Sequence, residues 1–256
     1  MTTITVDSAK AFLATVPLGS RVQNIGFAEP EAPFKPEADK QQAVVVGSDV
    51  VSFTPAVSVQ RRQDVQDCLL LAQLAANAKV SQRSDIFGWY DVYFDTLSQL
   101  GWVIASKQFD LQKRHGKEVD VHEAIIAVAT VLLGAATPAL ALVITTLKAM
   151  KSMNDSSPWI TVFKRESHKL QAQSFQICAV EQDAQGQTTL AMMAFILNIS
   201  SVINQLIFFK IQTDDVILKN CSGKITLNDG VLEGIRETLH KKVQDRALGF
   251  VGALQL

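Results

Sequence analysis

A histidine beside a carboxylate is the simplest pairing that could move a proton, and the sequence has two such neighbours, His122 with Glu123 and Glu166 with His168. Neither pair comes with a recognisable nucleophile motif, and surface or capping roles account for both. Cys68, Cys178 and Cys221 are the only thiols. They are far apart, odd in number and set in apolar or strand-like surroundings, which fits reduced core thiols better than a disulfide frame or a zinc site. Catalysis or lipidation by a cysteine is the remaining reading. No glycine-rich phosphate loop, GxSxG elbow, HExxH or CxxC pair occurs. The sequence therefore assigns no catalytic residue, cofactor ligand or metal ligand, and the expectation is a protein without a cofactor that is not an enzyme.

Composition narrows the field further. With 256 residues, 48% of them hydrophobic and 19% charged, the chain has the apolar content to fold as one large domain or two small ones. Twenty-four basic residues nearly cancel 25 acidic ones, and no basic block appears, so nucleic acid is not an expected partner. The opening residues lack the basic and apolar regions of a secretory signal, and synthesis in a cytosol without classical export is expected.

The pattern of apolar residues places the elements. Residues 6–16 predict a short helix capped by Asp7 or Ser8 and closed by Pro17. Residues 17–40, rich in glycine and proline, predict an extended surface segment. The β-branched run 43–54 (AVVVGSDVVSFT) predicts one strand bulged at Gly47. An Ala/Leu-rich helix follows over 64–80, then a second helix starting at Ser84 or Asp85 and stopped by Gly101, then a strand over 102–111. Residues 124–147 (AIIAVATVLLGAATPALALVITTL) contain no charge. Gly134 and Pro138 divide that stretch, which argues for a buried hairpin of two helices over a membrane span.

Beyond Pro158 the period changes. Strands are predicted over 158–166, 172–181, 188–199, 204–213 and 216–227, an antiparallel meander. In 190–197 both alternating sets are apolar, so that strand must be covered on both faces. A last helix over 231–247, capped by Asp229, precedes an apolar tail.

Taken in order, several segments resemble the Cyt-type delta-endotoxins, a family of insecticidal cytolysins. They are the Ala/Leu helix LLLAQLAANA at 69–78, the uncharged hairpin with Leu132-Leu133-Gly134, the Trp159-Ile160 pair, the strand 174–179, and the run Gln205-Leu206-Ile207-Phe208-Phe209-Lys210-Ile211-Gln212. The resemblance covers roughly 43–227. It implies an α+β, single-domain three-layer α-β-α sandwich, with a central mostly antiparallel sheet flanked by helix hairpins. It also implies a protoxin with a flexible N-terminal segment (1–42), removed by cleavage at Lys40, ahead of a cytolysin domain (43–256). Synthesis in a bacterial cytoplasm, non-classical release and action at the membrane of a host cell complete that expectation.

A soluble cytolysin must bury amphipathic pieces that can later exchange their partners for lipid. Leu132, Leu133, Leu140, Leu142 and Ile144 of the hairpin and Phe195, Ile196, Leu206, Phe208 and Phe209 of the strands are the candidates for meeting the bilayer. Strands enter lipid only when every backbone group is paired, which implies a homo-oligomer on membrane lipids, with a dimer as one option for the soluble form. The alternative is a non-lytic lipid-binding or assembly protein built on the same fold.

Overall fold

The computed structural model describes residues 4–18, 36–80, 84–104, 110–115, 121–153, 157–167, 173–198, 215–247 and 251–254. Thr5, and not Asp7 or Ser8, caps the first helix, α1 (Val6–Thr15): its hydroxyl accepts from the Ser8 amide while the Ser8 side chain accepts from the Thr5 amide. The run 43–54 is a hairpin and not one bulged strand. Strands β1 (Gln42–Val46) and β2 (Asp49–Phe53) pair with Val46 opposite Asp49, and Gly47 turns the chain at φ +58°. Glycine is required there twice over, because a Cβ would also lie 2.2 Å from Gln73 Oε1.

Ser58 caps α2 (Val59–Lys79), so this helix begins a turn and a half earlier than its apolar residues suggest. Asp85 caps α3 (Ile86–Gln99), which ends where Gly101 adopts φ +97°. The strand expected over 102–111 is described in two pieces, β3 (Trp102–Val103) and β4 (Asp110–His115). The uncharged stretch forms the expected hairpin, α4 (Val121–Leu133) and α5 (Pro138–Ser152), turned by Gly134 at φ +93° and capped by Thr137.

Residues 158–166 are helical, contrary to the strand their β-branched content suggests. In α6 (Pro158–Ser167) proline occupies the first turn, where its missing N–H costs nothing, and Ile160, Phe163 and Ser167 recur at helical spacing on the buried side. Strands β5 (Gln173–Gln182), β6 (Thr188–Asn198) and β7 (Asp215–Leu227) form the antiparallel meander. The strand expected over 204–213 lies outside the described residues. Asn228, and not Asp229, caps α7 (Asp229–Ala247) through its side-chain oxygen on the Val231 amide, and the tail supplies β8 (Val251–Leu254) at the sheet edge beside β1.

The strands make one sheet in the order β3-β7-β6-β5-β2-β1-β8, with β4 also paired to β7. Only β2 and β5 are parallel among the described pairs. Helices α1, α2, α3 and α7 pack on one face with Val44, Val51, Cys178, Met192 and Ile196 beneath them. Helices α4, α5 and α6 pack on the other with Val45, Ile177, Met193 and Phe195. This is a single three-layer α-β-α sandwich. β6 sits inside it with both side-chain sets buried, Leu190, Met192, Ala194 and Ile196 one way and Ala191, Met193, Phe195 and Leu197 the other.

Candidate functional site

The α4–α5 layer has two dissimilar sides. Towards the sheet it presents Ile125, Val128, Leu133, Leu140, Val143 and Leu147, all buried. Its outward side carries Ala127, Val131, Ala135, Ala136, Ala141 and Thr145, all exposed, with Val131 at 88%. Surface helices ordinarily place charged residues outward. Here the outward side is uncharged from 124 to 147, and exposed charges flank it at Glu123 and Lys148.

That layout redistributes the residues expected to meet lipid. Leu133, Leu140, Leu142, Phe195 and Ile196 are buried in the closed form, while Leu132 and Ile144 are half-buried at the flank of the outward side. Leu206, Phe208 and Phe209 lie outside the described residues. The outward set of Ala127, Val131, Ala135 and Ala141 was missed by a sequence reading that singled out large apolar residues. The signal was present, however, in the absence of charge from both helical faces at once.

On the opposite side of the sheet the β1–β2 turn anchors a buried polar cluster. Asp49 Oδ2 accepts from Tyr93 Oη at 3.0 Å and from Gln73 Nε2 at 2.9 Å. Gln73 also donates to the Val46 carbonyl at 2.6 Å and accepts from the Ser48 amide at 2.9 Å. Gln176 on β5 satisfies its neighbours when its amide nitrogen faces Asp49 Oδ1 and its oxygen accepts from Tyr90 Oη at 2.8 Å. These contacts tie α2 and α3 to β2 and β5 through polar groups that have left water, an arrangement with stringent geometry. Burial holds the Asp49 carboxyl well above the usual carboxylate range, against the lowering effect of the bonds from Tyr93 and Gln73. The same burial, and then the charge of Asp49, raises the Tyr90 and Tyr93 phenols.

Ion pairs fasten α7 to α2. Asp64, almost wholly buried, receives Arg236 at 2.8 and 3.0 Å and Arg61 at 3.4 Å, and Arg61 continues to Asp229 at 2.6 Å. His240 Nδ1 lies 2.8 Å from Asp67 Oδ2. This contact joins residues distant in sequence, which no pairing of sequence neighbours marks. Glu166 pairs with Arg165 at 2.7 Å, and His168 lies outside the described residues. All three cysteines are buried, and none is in a disulfide. Among the described residues no group of three or more His, Cys, Asp and Glu could hold a metal ion.

Lys40 precedes β1 with its ammonium exposed and paired to Glu37. Its carbonyl is held at 2.7 Å by Arg62, a fully buried side chain that also donates to the carbonyls of Val57 and Thr54. Residues 19–35, most of the extended segment expected over 17–40, lie outside the described residues, but α1 ahead of them packs on the domain. In α1, Ala9 and Leu13 are buried, Val6 lies against Gly234, and the Leu13 and Leu18 carbonyls accept from Lys242 and Arg246 at 2.5 and 2.8 Å.

No protein-family model matches the sequence, and no curated protein matches it either. Solved structures similar to it include a delta-endotoxin, with a TM-score of 0.36 and 13% identity over 79% of this chain and 91% of that one. Another is the Evf virulence factor, with a TM-score of 0.35 and 12% identity over 96% of this chain and 91% of that one. At such scores and identities neither likeness carries the argument further, and function is argued from the chain's own geometry.

Proposed function

We propose that this chain is a membrane-active, toxin-like protein that is soluble when closed and disrupts lipid bilayers, in the manner expected of a cytolysin and without catalysis. The observation that carries the reading is the outward side of α4–α5, which places an uncharged surface with Val131 at 88% exposure where a soluble helix layer would ordinarily carry charge. The interior supports it. β6 is apolar on both faces and paired on both edges by β5 and β7, so once a helix layer separates it offers a strand that lipid can solvate, and it is the outer edges of the sheet that other copies would have to pair. Membrane lipid is the partner, and a homo-oligomer is the lytic form.

Flotation with liposomes, run beside dye release from the same liposomes, tests this. Binding with leakage supports the reading. Binding without leakage favours a lipid-binding protein on the same scaffold, and absence of both overturns any action on lipid.

A further inference from the structure

We propose that the turn end of the α4–α5 hairpin enters a single leaflet of the bilayer as a wedge, with Glu123 and Lys148 left at the level of the headgroups. This inference rests on the membrane reading above and adds the element, the depth and the orientation.

Length is the first argument. The uncharged positions are 124–133 on α4 and 138–147 on α5, ten residues on each helix. At about 1.5 Å per residue both run about 15 Å from the turn to the first charge. A bilayer's hydrocarbon core is about 30 Å thick, so the two helices match one leaflet and neither reaches the second. No helix among the described residues is long and apolar enough to cross a membrane.

Hydrogen bonding is the second argument, because lipid offers no partner to a polar group. The uncharged stretch contains four threonines as its polar side chains. Thr130 donates to the Ile126 carbonyl at 2.7 Å and Thr145 to the Ala141 carbonyl at 2.9 Å. Thr137 donates to the Gly134 carbonyl at 3.2 Å and accepts from the Leu140 amide at 3.2 Å. Thr146 bonds with Ser52 inside the core at 2.9 Å. Three of the four hydroxyls are thus bonded within the hairpin itself, and the fourth, Thr146, is bonded to the sheet and lies two residues from Lys148 at the headgroup end. The helix ends beside the turn are closed too, with the Gly134 amide on the Thr130 carbonyl at 3.0 Å and the Ala141 amide on the Thr137 carbonyl at 3.0 Å.

Placement is the third argument. Val131, Ala135, Ala136 and Pro138 are exposed around the turn, and a Cβ added to Gly134 would meet only Thr137, so the outward side of the turn end is exposed. Charge fits the same orientation. Lys148, exposed on α5, supplies a cation at headgroup level, where anionic lipid would receive it.

The test places a fluorophore on the full chain at Val131→Cys, Ala141→Cys or Lys148→Cys, one at a time. All three sites are exposed and the native thiols are buried. Each labelled protein is bound to phosphatidylcholine vesicles containing phosphatidylglycerol, with quenchers carried near the headgroup or near the acyl-chain end. The wedge requires the labels at Val131 and Ala141, two and three residues from the turn end of their helices, both to be quenched most by the deep quencher, and the label at Lys148 by the shallow one. Val131→Asp and Ala135→Asp should each weaken vesicle binding on the order of 100-fold, following the insertion cost of a buried aspartate. Ser222→Asp, exposed on β7, should leave it unchanged and controls for repulsion from anionic lipid. Equal shallow quenching at all three sites, or binding unaffected by Val131→Asp in a protein with an unchanged circular-dichroism melt, overturns the wedge. If leakage persists in that case, the membrane reading survives and another element is responsible. Strong quenching of the Val131 label from the far leaflet alone also overturns it, in favour of a span.

Discussion

The hydroxyls of Ser52 on β2 and Thr146 on α5 meet at 2.9 Å inside the core, so that the α4–α5 layer is joined to the sheet at a defined point. Ala141 on the same helix is exposed and unsuited to a cross-link with the sheet. A Ser52→Cys, Thr146→Cys pair is the lock this geometry provides, and its disulfide would hold α5 on β2. Cys178 faces the other side of the sheet and does not compete. If leakage requires the layer to separate, the oxidised protein should still bind vesicles but release no dye, and reduction should restore release. Full release by verified, oxidised protein would reject layer separation.

Phe195 measures how much the closed form depends on its sheet. It is fully buried on β6, and its ring stacks on Phe175 at 5.2 Å. Phe195→Ala should cost about 3 to 5 kcal/mol in a urea melt, the range for emptying a Phe-sized core site. A loss below about 1 kcal/mol would mean that the core there is not packed as described.

Asp49 gives the closed form a pH dependence whose sign is fixed. A carboxyl raised by burial is protonated in the folded protein over a range where the unfolded chain is already ionised. Its contribution is fully present below the ordinary carboxylate value of about 3.9 and is lost as pH rises through the raised native value. The groups facing it, Tyr93, Gln73, Gln176, Tyr90 and Cys178, include no cation to offset ionisation, and the raised phenols act in the same direction at higher pH. Asp49→Asn, which retains the shape and allows Gln176 to turn its amide, should flatten Tm against pH above the carboxylate range. Parallel curves for the two proteins would refute this assignment.

Much of the layered plan was legible because burial leaves a simple periodic trace. Residues 190–197, apolar at every position, required cover on both faces, and β6 has it. Gly134 and Pro138 divided 124–147 into the hairpin observed. Residues 158–167 misled because Ile160, Thr161 and Val162 favour strands in isolation, whereas packing on the sheet decides in favour of the helix. The hairpin within 43–54 was hidden because β1 and β2 are each buried on both faces, so the turn interrupts no alternation and Gly47 was its one mark. The Asp49 cluster was not foreseen. Its members come from β2, α2, α3 and β5, and the trace left in sequence was an acid inside an apolar run.

Cleavage after Lys40 would sever α1 from the sheet covalently but not physically. Lys242 holds its Leu13 carbonyl and Arg246 the Leu18 carbonyl just beyond it, and Ala9 and Leu13 are buried. Limited trypsin treatment should produce a chain beginning at Gln41, with the upstream fragment co-eluting on native size exclusion and separating only in denaturant. Lys40→Gln should block that cut. A fragment that leaves under native conditions would show that α1 is not a fixed part of the closed form.

Dye release from phosphatidylcholine vesicles containing phosphatidylglycerol, titrated with the purified chain, tests the central claim most directly. The account predicts release that rises with protein concentration more steeply than linearly, as assembly of several copies requires, and that falls sharply for Val131→Asp while Ser222→Asp matches the parent. Vesicles that retain their dye at every concentration, although the protein is folded and in excess, would contradict a membrane-disrupting function.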